Sequence, residues 1–302
     1  MSFQVWTTLI TNTAYLSGLL TLDYSLKQVK TKYPLIALYT DAFPEEGHRA
    51  LDIRGIPKQR INYLLPSKNK AFANDPRFYD CWSKLTPFSL EQYDRVVQLD
   101  SDMLVLQNMD ELMEIELDSP AMEGKGDRVF AASHACVCNP MKKPHYPKNW
   151  IPENCAYTMM HSKPEEAQTE GAPVLGSMSM PNGGLQVVNP CKAIYESILQ
   201  RLADSAGVEE YEFADQSLLS DVFKGRWVPL PYKYNALKTL RLPEVHGGIW
   251  KDENVKNIHY ILSPKPWDES LGNESWETHT WWLEANVRRR RDEEANGIKD
   301  DF

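Results

Sequence analysis

Residues 4–39 read QVWTTLITNTAYLSGLLTLDYSLKQVKTKYPLIALY. Residues 4–9 predict a β-strand, residues 12–29 carry apolar side chains at helical spacing, and residues 35–39 form a second apolar run of strand length. This order of strand, helix and strand is typical of the βαβ unit of α/β folds with a parallel sheet. Because such sheets bind ligands beyond the carboxyl ends of their strands, the loop after the first strand is a candidate site.

The same alternation continues along the chain. Start and stop residues predict a helix over residues 44–54, and we expect further helices over residues 80–92, 190–202 and 215–223. Apolar runs predict strands at residues 95–99, 184–188 and 256–261. Residues 133–181 are rich in Pro, Gly, His and Cys without periodicity, which predicts a long irregular insertion. We interpret the charged run at residues 288–294 as a solvated helix end and tail.

The composition limits the classes of protein to consider. The chain has 302 residues and a net charge of −9, which argues against a protein that binds mainly nucleic-acid phosphates. No apolar run approaches the roughly 20 residues of a membrane-spanning helix, and the first residues lack the pattern of a secretory signal. The five cysteines, odd in number and sparse, suit a reducing compartment. We therefore expect a soluble, cytoplasmic protein with no nucleic-acid partner and no membrane span.

Two carboxylates follow the predicted buried strand at residues 95–99, in the sequence Asp100-Ser101-Asp102. Alternate residues of a strand share a face, so both side chains would point into the cleft beyond the sheet. Hard oxygen donors in that position suit Mn²⁺ or Mg²⁺, particularly one that also holds the phosphates of a nucleotide. The alternative is a polar turn in which Asp102 caps a helix. The apolar runs on both sides favour the metal site.

His259 lies in the predicted strand at residues 256–261. A single histidine in such a strand is usually a core residue with satisfied hydrogen bonds. If it reached the metal, its nitrogen would favour Mn²⁺ over Mg²⁺. Lys265 would then lie near enough to neutralise a phosphate, and the alternative is a surface lysine between two prolines.

Two further segments offer polar groups at the ends of predicted elements. Asn182-Gly183-Gly184 precedes a strand, and its glycines either form a simple turn or let the backbone approach a ligand closely. Asp215 and Gln216 open a predicted helix, where an aspartate is an ordinary cap, a role that is compatible with catalysis.

The sequence motifs of other kinds of site are incomplete or absent. Cys136 and Cys138, with His134 and His145 nearby, suggest zinc, but structural zinc sites favour about two to four residues between paired cysteines and a second ligand pair. Cys155 alone is a poor match for that pair, so we predict no zinc site in this segment. The chain also lacks a phosphate-binding P-loop, a dinucleotide-binding glycine motif and a nucleophile elbow, which argues against kinases, dehydrogenases and α/β-hydrolases.

Seven segments occur in an order that is specific to one family: residues 7–15, 82–85, 98–102, 182–190, 213–216, 234–235 and 259–267. They resemble the retaining glycosyltransferases of family 8, which include glycogenin and galactinol synthase, and together they span about residues 3–267. The resemblance implies an α/β protein with a GT-A fold, a single Rossmann-like domain with a mixed, mostly parallel central sheet. It implies a catalytic domain over residues 1–265, with the insertion at 133–181, and a helical or disordered tail over 266–302.

The resemblance also implies a role for each matching residue. Mn²⁺ and a UDP-sugar would be the cofactor and the donor. The uridine pocket would be lined by Leu9, Thr11, Asn12 and Tyr15, the ribose would contact Ser101, and Mn²⁺ would bind Asp100, Asp102 and His259. The donor sugar and its phosphates would contact Lys84, Asn182, Gly184, Asp215, Gln216 and Lys265. Among these, the catalytic residues would be Lys84, Asp215, Gln216 and Lys265. A cation and a lysine at the leaving UDP would stabilise its developing charge.

Departures from glycogenin narrow the expected reaction. Glycogenin glucosylates its own tyrosine, but residues 236–258 here contain no tyrosine. Residues 32–35, 44–46, 229–232 and 281–282, and the cysteine-rich insertion, look more like galactinol synthases. We expect an enzyme that depends on Mn²⁺ and transfers a hexose from a UDP-sugar with retention at the anomeric carbon. We expect the donor to be UDP-galactose in preference to UDP-glucose, and the acceptor to be a small hydroxylated molecule such as myo-inositol. A homodimer is a possible assembly. The alternatives are a glucosyl- or N-acetylglucosaminyltransferase acting on a glycan or protein, a degenerate UDP-sugar-binding protein, and a nucleotidyltransferase.

Overall fold

The computed structural model describes residues 3–67, 78–174 and 179–302. The strands are β1 (Gln4–Ile10), β2 (Leu35–Tyr39), β3 (Lys58–Arg60), β4 (Arg95–Leu99), β5 (Met103–Val105), β6 (Phe130–His134), β7 (Pro181–Val188), β8 (Val228–Pro229), β9 (Ala236–Leu237) and β10 (Asn257–His259). The α-helices are α1 (Leu16–Gln28), α2 (Glu45–Ile53), α3 (Phe78–Cys81), α4 (Lys192–Ala203), α5 (Ser205–Val208), α6 (Ala214–Val222) and α7 (Glu277–Ala295).

The larger of the two sheets is mixed and mostly parallel. Its strand order among the described residues is β3-β2-β1-β4-β7-β6-β8. The pairs of β1 with β2 and β4, of β2 with β3, and of β6 with β8 are parallel, whereas β7 is antiparallel to both β4 and β6. The predicted α/β class with a mostly parallel sheet is confirmed, and the strand–helix–strand unit at residues 4–39 forms its first parallel pair.

The central strands of this sheet are buried on both faces, which explains why they are continuous apolar runs. All five residues of β4 are buried, including Gln98, whose side chain accepts a hydrogen bond from Thr7 Oγ1 at 2.7 Å and donates one to the Leu99 carbonyl at 3.0 Å. The buried side chains of Thr7 and Gln98 are therefore paired with each other and with the backbone.

The smaller sheet brings distant parts of the chain to the carboxyl end of β4. Its order is β5-β10-β9. The antiparallel register sets His259 at the end of β10 opposite Met103 at the start of β5, and the backbone N–H of Tyr260 donates to the carbonyl of Asp102 at 2.9 Å. This register carries the histidine to the carboxylates that follow β4, across more than 150 residues of sequence.

Two elements differ from the sequence-based prediction. Residues 80–92 do not form one helix: α3 is followed by a 3₁₀ helix, Trp82–Ser89, which contains Pro87. Proline lacks an N–H donor, so a regular α-helix is disfavoured there. The predicted insertion at 133–181 is irregular over most of its described residues, with 3₁₀ turns at 152–154, 156–162 and 166–168, but its ends belong to β6 and β7. Residues 175–178 of this insertion lie outside the described residues.

The charged run at residues 288–291 is not fully solvated, contrary to the sequence-based interpretation. Helix α7 packs against α1, and both Trp282 and Arg289 are fully buried. The guanidinium of Arg289 is paired with Glu293 at 2.7 Å and donates to the carbonyl of Phe302 at 2.8 Å. No α-helix in the described ranges has the length and apolar composition to cross a membrane.

An ion-pair cluster fastens α2 to the C-terminal residues. The Arg54 guanidinium contacts Glu293 at 2.9 Å and Asp300 at 2.7 Å, and its side chain is only 5% exposed. We expect Arg54→Ala to lower the free energy of unfolding in urea by about 2–4 kcal/mol, because it takes the guanidinium partner from the part-buried Asp300 and leaves Glu293 with Arg289 alone. The matched control is Arg60→Ala, whose pair with Asp41 is exposed and should have no measurable effect. Equal effects of the two substitutions would contradict this account.

Candidate active site

All the residues that the sequence analysis assigned to the site line one cavity of about 280 Å³. The cavity lies beyond the carboxyl ends of β1 and β4, where a doubly wound sheet binds its ligands. The residues concerned are Leu9, Thr11, Asn12, Tyr15, Lys84, Asp100, Ser101, Asp102, Asn182, Gly184, Asp215, Gln216, His259 and Lys265. Their roles remain predictions, but the structure brings them together.

Two carboxylates and an imidazole form a compact cluster at the floor of this cavity. His259 Nε2 lies 3.2 Å from Asp102 Oδ1 and 3.6 Å from Asp100 Oδ2, and one ligand atom of each residue falls within 4.8 Å of the others. His259 Nδ1 is 2.8 Å from Asn235 Oδ1, an acceptor, so this nitrogen carries the proton and Nε2 offers its lone pair to the carboxylate side. Two oxygen donors and one nitrogen donor suit a divalent cation of the Mn²⁺ type.

Each carboxylate of this cluster also has a lysine partner. Lys84 Nζ lies 2.7 Å from Asp100 Oδ2, and Lys265 Nζ contacts Asp102 Oδ2. Burial opposes the charged form of Lys84, but Asp100, with help from Cys81 and Asp215, raises its pKa well above the usual value. Burial opposes the charged form of Asp102 as well, but Lys265 holds its pKa well below the usual value. The charged forms of Lys84 and Asp102 are therefore favoured, and a lysine side chain lies beside each carboxylate of the cluster.

A chain of side-chain amides connects His259 to Gln216. Asn235 Nδ2 donates to Asn182 Oδ1 at 2.8 Å, and Asn182 Nδ2 donates to Gln216 Oε1 at 3.0 Å. The backbone N–H of Gly183 donates to the same Gln216 oxygen at 2.9 Å. Asn235 belongs to one of the segments that resemble the family, but the resemblance implies no role for it. In the structure, its side chain links His259 to Asn182.

Asp215 is the buried carboxyl of the site. It is 3% exposed, and its Oδ2 has no hydrogen-bond partner among the described residues. Burial raises the pKa of Asp215 to about 7, partly offset by Lys84 and reinforced by the negative charge of Asp100. An unpartnered buried oxygen is costly, which is typical of a group that is kept for function.

The loop after β1 forms another part of the cavity wall. Ser101 Oγ donates to the Leu9 carbonyl at 3.0 Å, and Thr11 Oγ1 donates to Asp80 at 2.8 Å. The ring of Tyr15 meets the ring of Trp267 edge to face, with centroids 5.3 Å apart. These contacts hold the first βα loop against the residues that follow β4 and β10.

Lys238, His279 and Glu269 form a buried chain of hydrogen bonds near Lys265, which the sequence did not predict. Lys238 is 1% exposed, and its Nζ lies 3.0 Å from His279 Nε2 and 3.1 Å from the Pro264 carbonyl. His279 Nδ1 in turn lies 2.6 Å from Glu269. Burial, with the charge of Lys265, lowers the pKa of Lys238 to about 8. This chain supports the loop of Lys265 through the Pro264 carbonyl. Its members are too far apart in sequence to form a recognisable motif.

Gly184 leaves space for the histidine of the cluster. A methyl group there would collide with His259 Cε1, so we expect Gly184→Ala to displace the ring. The Mn²⁺ concentration for half-maximal activity should rise by about 10- to 100-fold, as for other residues that orient a metal ligand. Gly248→Ala is the matched control, because an added methyl group meets nothing within 4 Å. An unchanged metal dependence in Gly184→Ala would contradict the assignment of His259.

Comparison with known proteins points to glycosyltransferases. An uncharacterised protein of Acanthamoeba polyphaga mimivirus is 26% identical, over 99% of this chain and 98% of its own length. Galactinol synthase 4 of Arabidopsis thaliana is 26% identical, over 85% of this chain and 71% of its own length.

Two solved structures are similar in fold. The galactosyltransferase LgtC, in complex with donor and acceptor sugar analogues, has a TM-score of 0.55 at 18% identity, covering 94% of this chain and 96% of that chain. The glycosyltransferase GlyE of Streptococcus pneumoniae TIGR4 has a TM-score of 0.58 at 16% identity, covering 98% of this chain and 64% of that chain. The predicted GT-A fold is confirmed by these neighbours.

The family model described as Glycosyl transferase family 8 matches residues 7–270. Apart from the first three residues of β1, this range includes both sheets, and it includes every residue that the sequence predicted for the site. The chain therefore belongs to glycosyl transferase family 8 and is a UDP-sugar-dependent glycosyltransferase.

Proposed function

We propose that this protein transfers galactose from UDP-galactose, with a Mn²⁺ ion and with retention at the anomeric carbon, to a small polyol such as myo-inositol. The observation that carries the proposal is the convergence of Asp100, Asp102 and His259 with Lys265, Asn182 and Gln216 in one cavity. Its preference for galactose and a polyol rests on the similarity to galactinol synthases.

The residues at the cluster fit a divalent cation. Asp100, Asp102 and His259 would hold it through two carboxylate oxygens and Nε2. When bound there, it would offset the negative charge that develops on the leaving diphosphate. Lys84 and Lys265 stand beside the same carboxylates, and they would supply further positive charge to the leaving group without a proton transfer.

The arrangement of Gln216 supports front-face transfer over a covalent intermediate. Retention needs either a glycosyl-enzyme or attack on the face of the leaving group. The Gln216 side-chain oxygen already accepts two hydrogen bonds, from Asn182 and from the Gly183 backbone. An amide oxygen held in this way is a weak nucleophile but is well fixed in position. We therefore assign Gln216 to positioning the anomeric carbon and stabilising its positive charge.

The other residues of the cavity would contact the uridine, the ribose and the donor sugar. Leu9, Thr11, Asn12 and Tyr15 would line the uridine pocket, on the loop after β1. Ser101 would contact the ribose, while Gly184 and Asp215 would lie beside the sugar hydroxyls. Residues of the insertion, among them Met141, Lys143 and Trp150, line the same cavity and would contribute to the choice of acceptor.

Three expectations about organisation stay predictions. They are the division into a catalytic domain at residues 1–265 and a tail at 266–302, the cytoplasmic location, and the homodimer.

The proposal is tested by measuring UDP release in Mn²⁺ from UDP-galactose, UDP-glucose and UDP-N-acetylglucosamine, each with and without myo-inositol. We expect release from UDP-galactose to rise sharply with inositol. Inositol-independent release from another donor would favour a glucosyl- or N-acetylglucosaminyltransferase with a different acceptor. Release of pyrophosphate instead of UDP would indicate a nucleotidyltransferase. No release from any donor would favour a protein that only binds UDP-sugars.

A further inference from the structure

Three cysteines and a histidine meet at one point beside the cavity. Cys136 and Cys138 follow β6, Cys155 precedes the 3₁₀ helix at residues 156–162, and His246 lies in a turn more than 90 residues later in the chain. Their Sγ atoms and a ring nitrogen of His246 all fall within 4.8 Å of one another. Sequence spacing does not suggest this set, because its fourth member belongs to another segment.

The distances match a tetrahedral metal site. His246 Nε2 lies 3.2 Å from Cys138 Sγ and 3.3 Å from Cys155 Sγ. With Zn–S bonds of about 2.3 Å and Zn–N bonds of about 2.0–2.1 Å, tetrahedral ligand atoms are about 3.5–3.8 Å apart. The observed separations are close to this range, so small side-chain adjustments would admit the ion.

The burial and the chemistry of the donors select the metal. Cys155 is 1% and His246 0% exposed, while Cys136 and Cys138 are each 9% exposed. Three thiolates and one imidazole form a soft donor set that favours Zn²⁺ over Mg²⁺ or Mn²⁺. Four protein ligands complete the tetrahedron and leave no position open for water or substrate, which is the pattern of a structural zinc site.

A second histidine orients the nitrogen ligand. His161 Nε2 lies 2.8 Å from His246 Nδ1. A proton on Nδ1 would be donated to His161 and would leave the Nε2 lone pair directed at the three sulfur atoms. Metal-binding histidines usually have such a partner on their other nitrogen, which fixes the tautomer and the ring orientation.

The geometry argues against the sequence-based prediction of no zinc site. The histidines considered with the cysteines were His134 and His145, but His134 Nε2 bonds the Ala172 carbonyl at 2.7 Å. The missing ligand is His246, which the fold delivers from the turn between β9 and β10.

We propose that Cys136, Cys138, Cys155 and His246 bind one Zn²⁺ that holds the insertion in place. Binding would displace the protons of the three thiols, since the ion is held by thiolates. The ion would tie together three segments: the residues after β6, the start of the 156–162 helix, and the turn at 243–248. Since Cys136 itself lines the active-site cavity, zinc would fix the wall that faces the acceptor. This site is distinct from the cluster of Asp100, Asp102 and His259.

Metal content of the purified full-length protein tests the proposal. Mass spectrometry of the metal, after dialysis against buffer without added metal, should give one zinc per chain. Cys155→Ser and His246→Ala should each lose it. Cys191→Ser is the matched control, because that buried cysteine lies outside the cluster and contacts the Pro120 carbonyl. Asp102→Asn should also keep its zinc, which separates this test from that of the proposed function.

X-ray absorption at the zinc edge of the unmodified protein keeps the test valid even if these variants fail to fold. The expected shell has three sulfur atoms at about 2.3 Å and one nitrogen at about 2.0–2.1 Å. Removal of zinc with a strong chelator should lower the melting temperature, and Zn²⁺ should restore it while Mn²⁺ should not. A shell of oxygen and nitrogen alone would overturn the proposal. So would reduced protein that neither contains nor takes up zinc, or a disulfide between two of the three cysteines in zinc-free protein.

Discussion

Replacement of Asp102 by asparagine should lower Mn²⁺-supported hexose transfer by about 100- to 1,000-fold, the range for losing a group that stabilises developing charge. Asp102 joins two other groups of the site, because one carboxylate oxygen faces His259 and the other contacts Lys265. Asparagine removes the charge that attracts the cation and leaves the buried Lys265 ammonium without its counter-ion. Both effects weaken the same end of the cavity.

The control for this prediction is Asp127→Asn, since Asp127 is exposed and lies outside the cavity. Because an unpaired buried lysine destabilises a protein, the variant also needs a readout that does not depend on turnover. Electron paramagnetic resonance of Mn²⁺ should show weaker binding by folded Asp102→Asn protein, with circular dichroism confirming the fold. Unchanged activity in folded Asp102→Asn protein would remove the metal assignment.

Asp215→Asn should stabilise the protein while it lowers transfer. Burial raises the pKa of Asp215 to about 7 from an ordinary value of 3.8. At a pH below both pKa values, the carboxyl is protonated in the folded and the unfolded chain, and its ionisation has no effect on stability. At a pH between the two pKa values only the unfolded chain ionises, so the free energy of unfolding falls as the pH rises. Above about pH 7 both states are ionised, and the free energy of unfolding falls no further. Asparagine, which does not ionise, escapes this loss.

The gain in the free energy of unfolding should be on the order of 1–4 kcal/mol at about pH 8 and smaller at about pH 5. It is measured by urea unfolding with a chelator present, so that bound metal does not contribute. Transfer should fall by about 10- to 100-fold, as for loss of a hydrogen bond from a charged group. A loss of stability above pH 7, or transfer equal to that of the unmodified protein, would contradict the role of Asp215.

The parts of the fold that the sequence predicts well are those encoded locally. The strands at residues 4–9, 35–39 and 95–99 are buried runs with clear ends, and the structure has them within one residue. Helix α1 begins at Leu16, after a 3₁₀ turn at residues 13–15, and ends within one residue of the prediction. Asp100 and Asp102 could be placed at the cavity because carboxylates that directly follow a buried parallel strand have only one edge of the sheet to occupy.

The parts that the sequence does not predict depend on pairing across long separations. Asn235 reaches His259 and Asn182 only once β9 lies beside β10. His246 is about 90 residues beyond the nearest cysteine of its cluster. Arg289 lies in a run of charge that is typical of a solvated helix, and its burial follows from the C-terminal residues folding back on α7. No local pattern contains this information.

The most direct test of the central claim, that Asp100, Asp102 and His259 bind the metal of a UDP-sugar donor site, is calorimetric titration of the protein with UDP. This measurement does not depend on knowing the acceptor. We predict that one UDP binds per chain in the presence of Mn²⁺, and that binding is lost with a chelator and in folded Asp102→Asn protein. UDP binding that is equally tight without metal, or that is absent from the unmodified protein with Mn²⁺, would contradict the account.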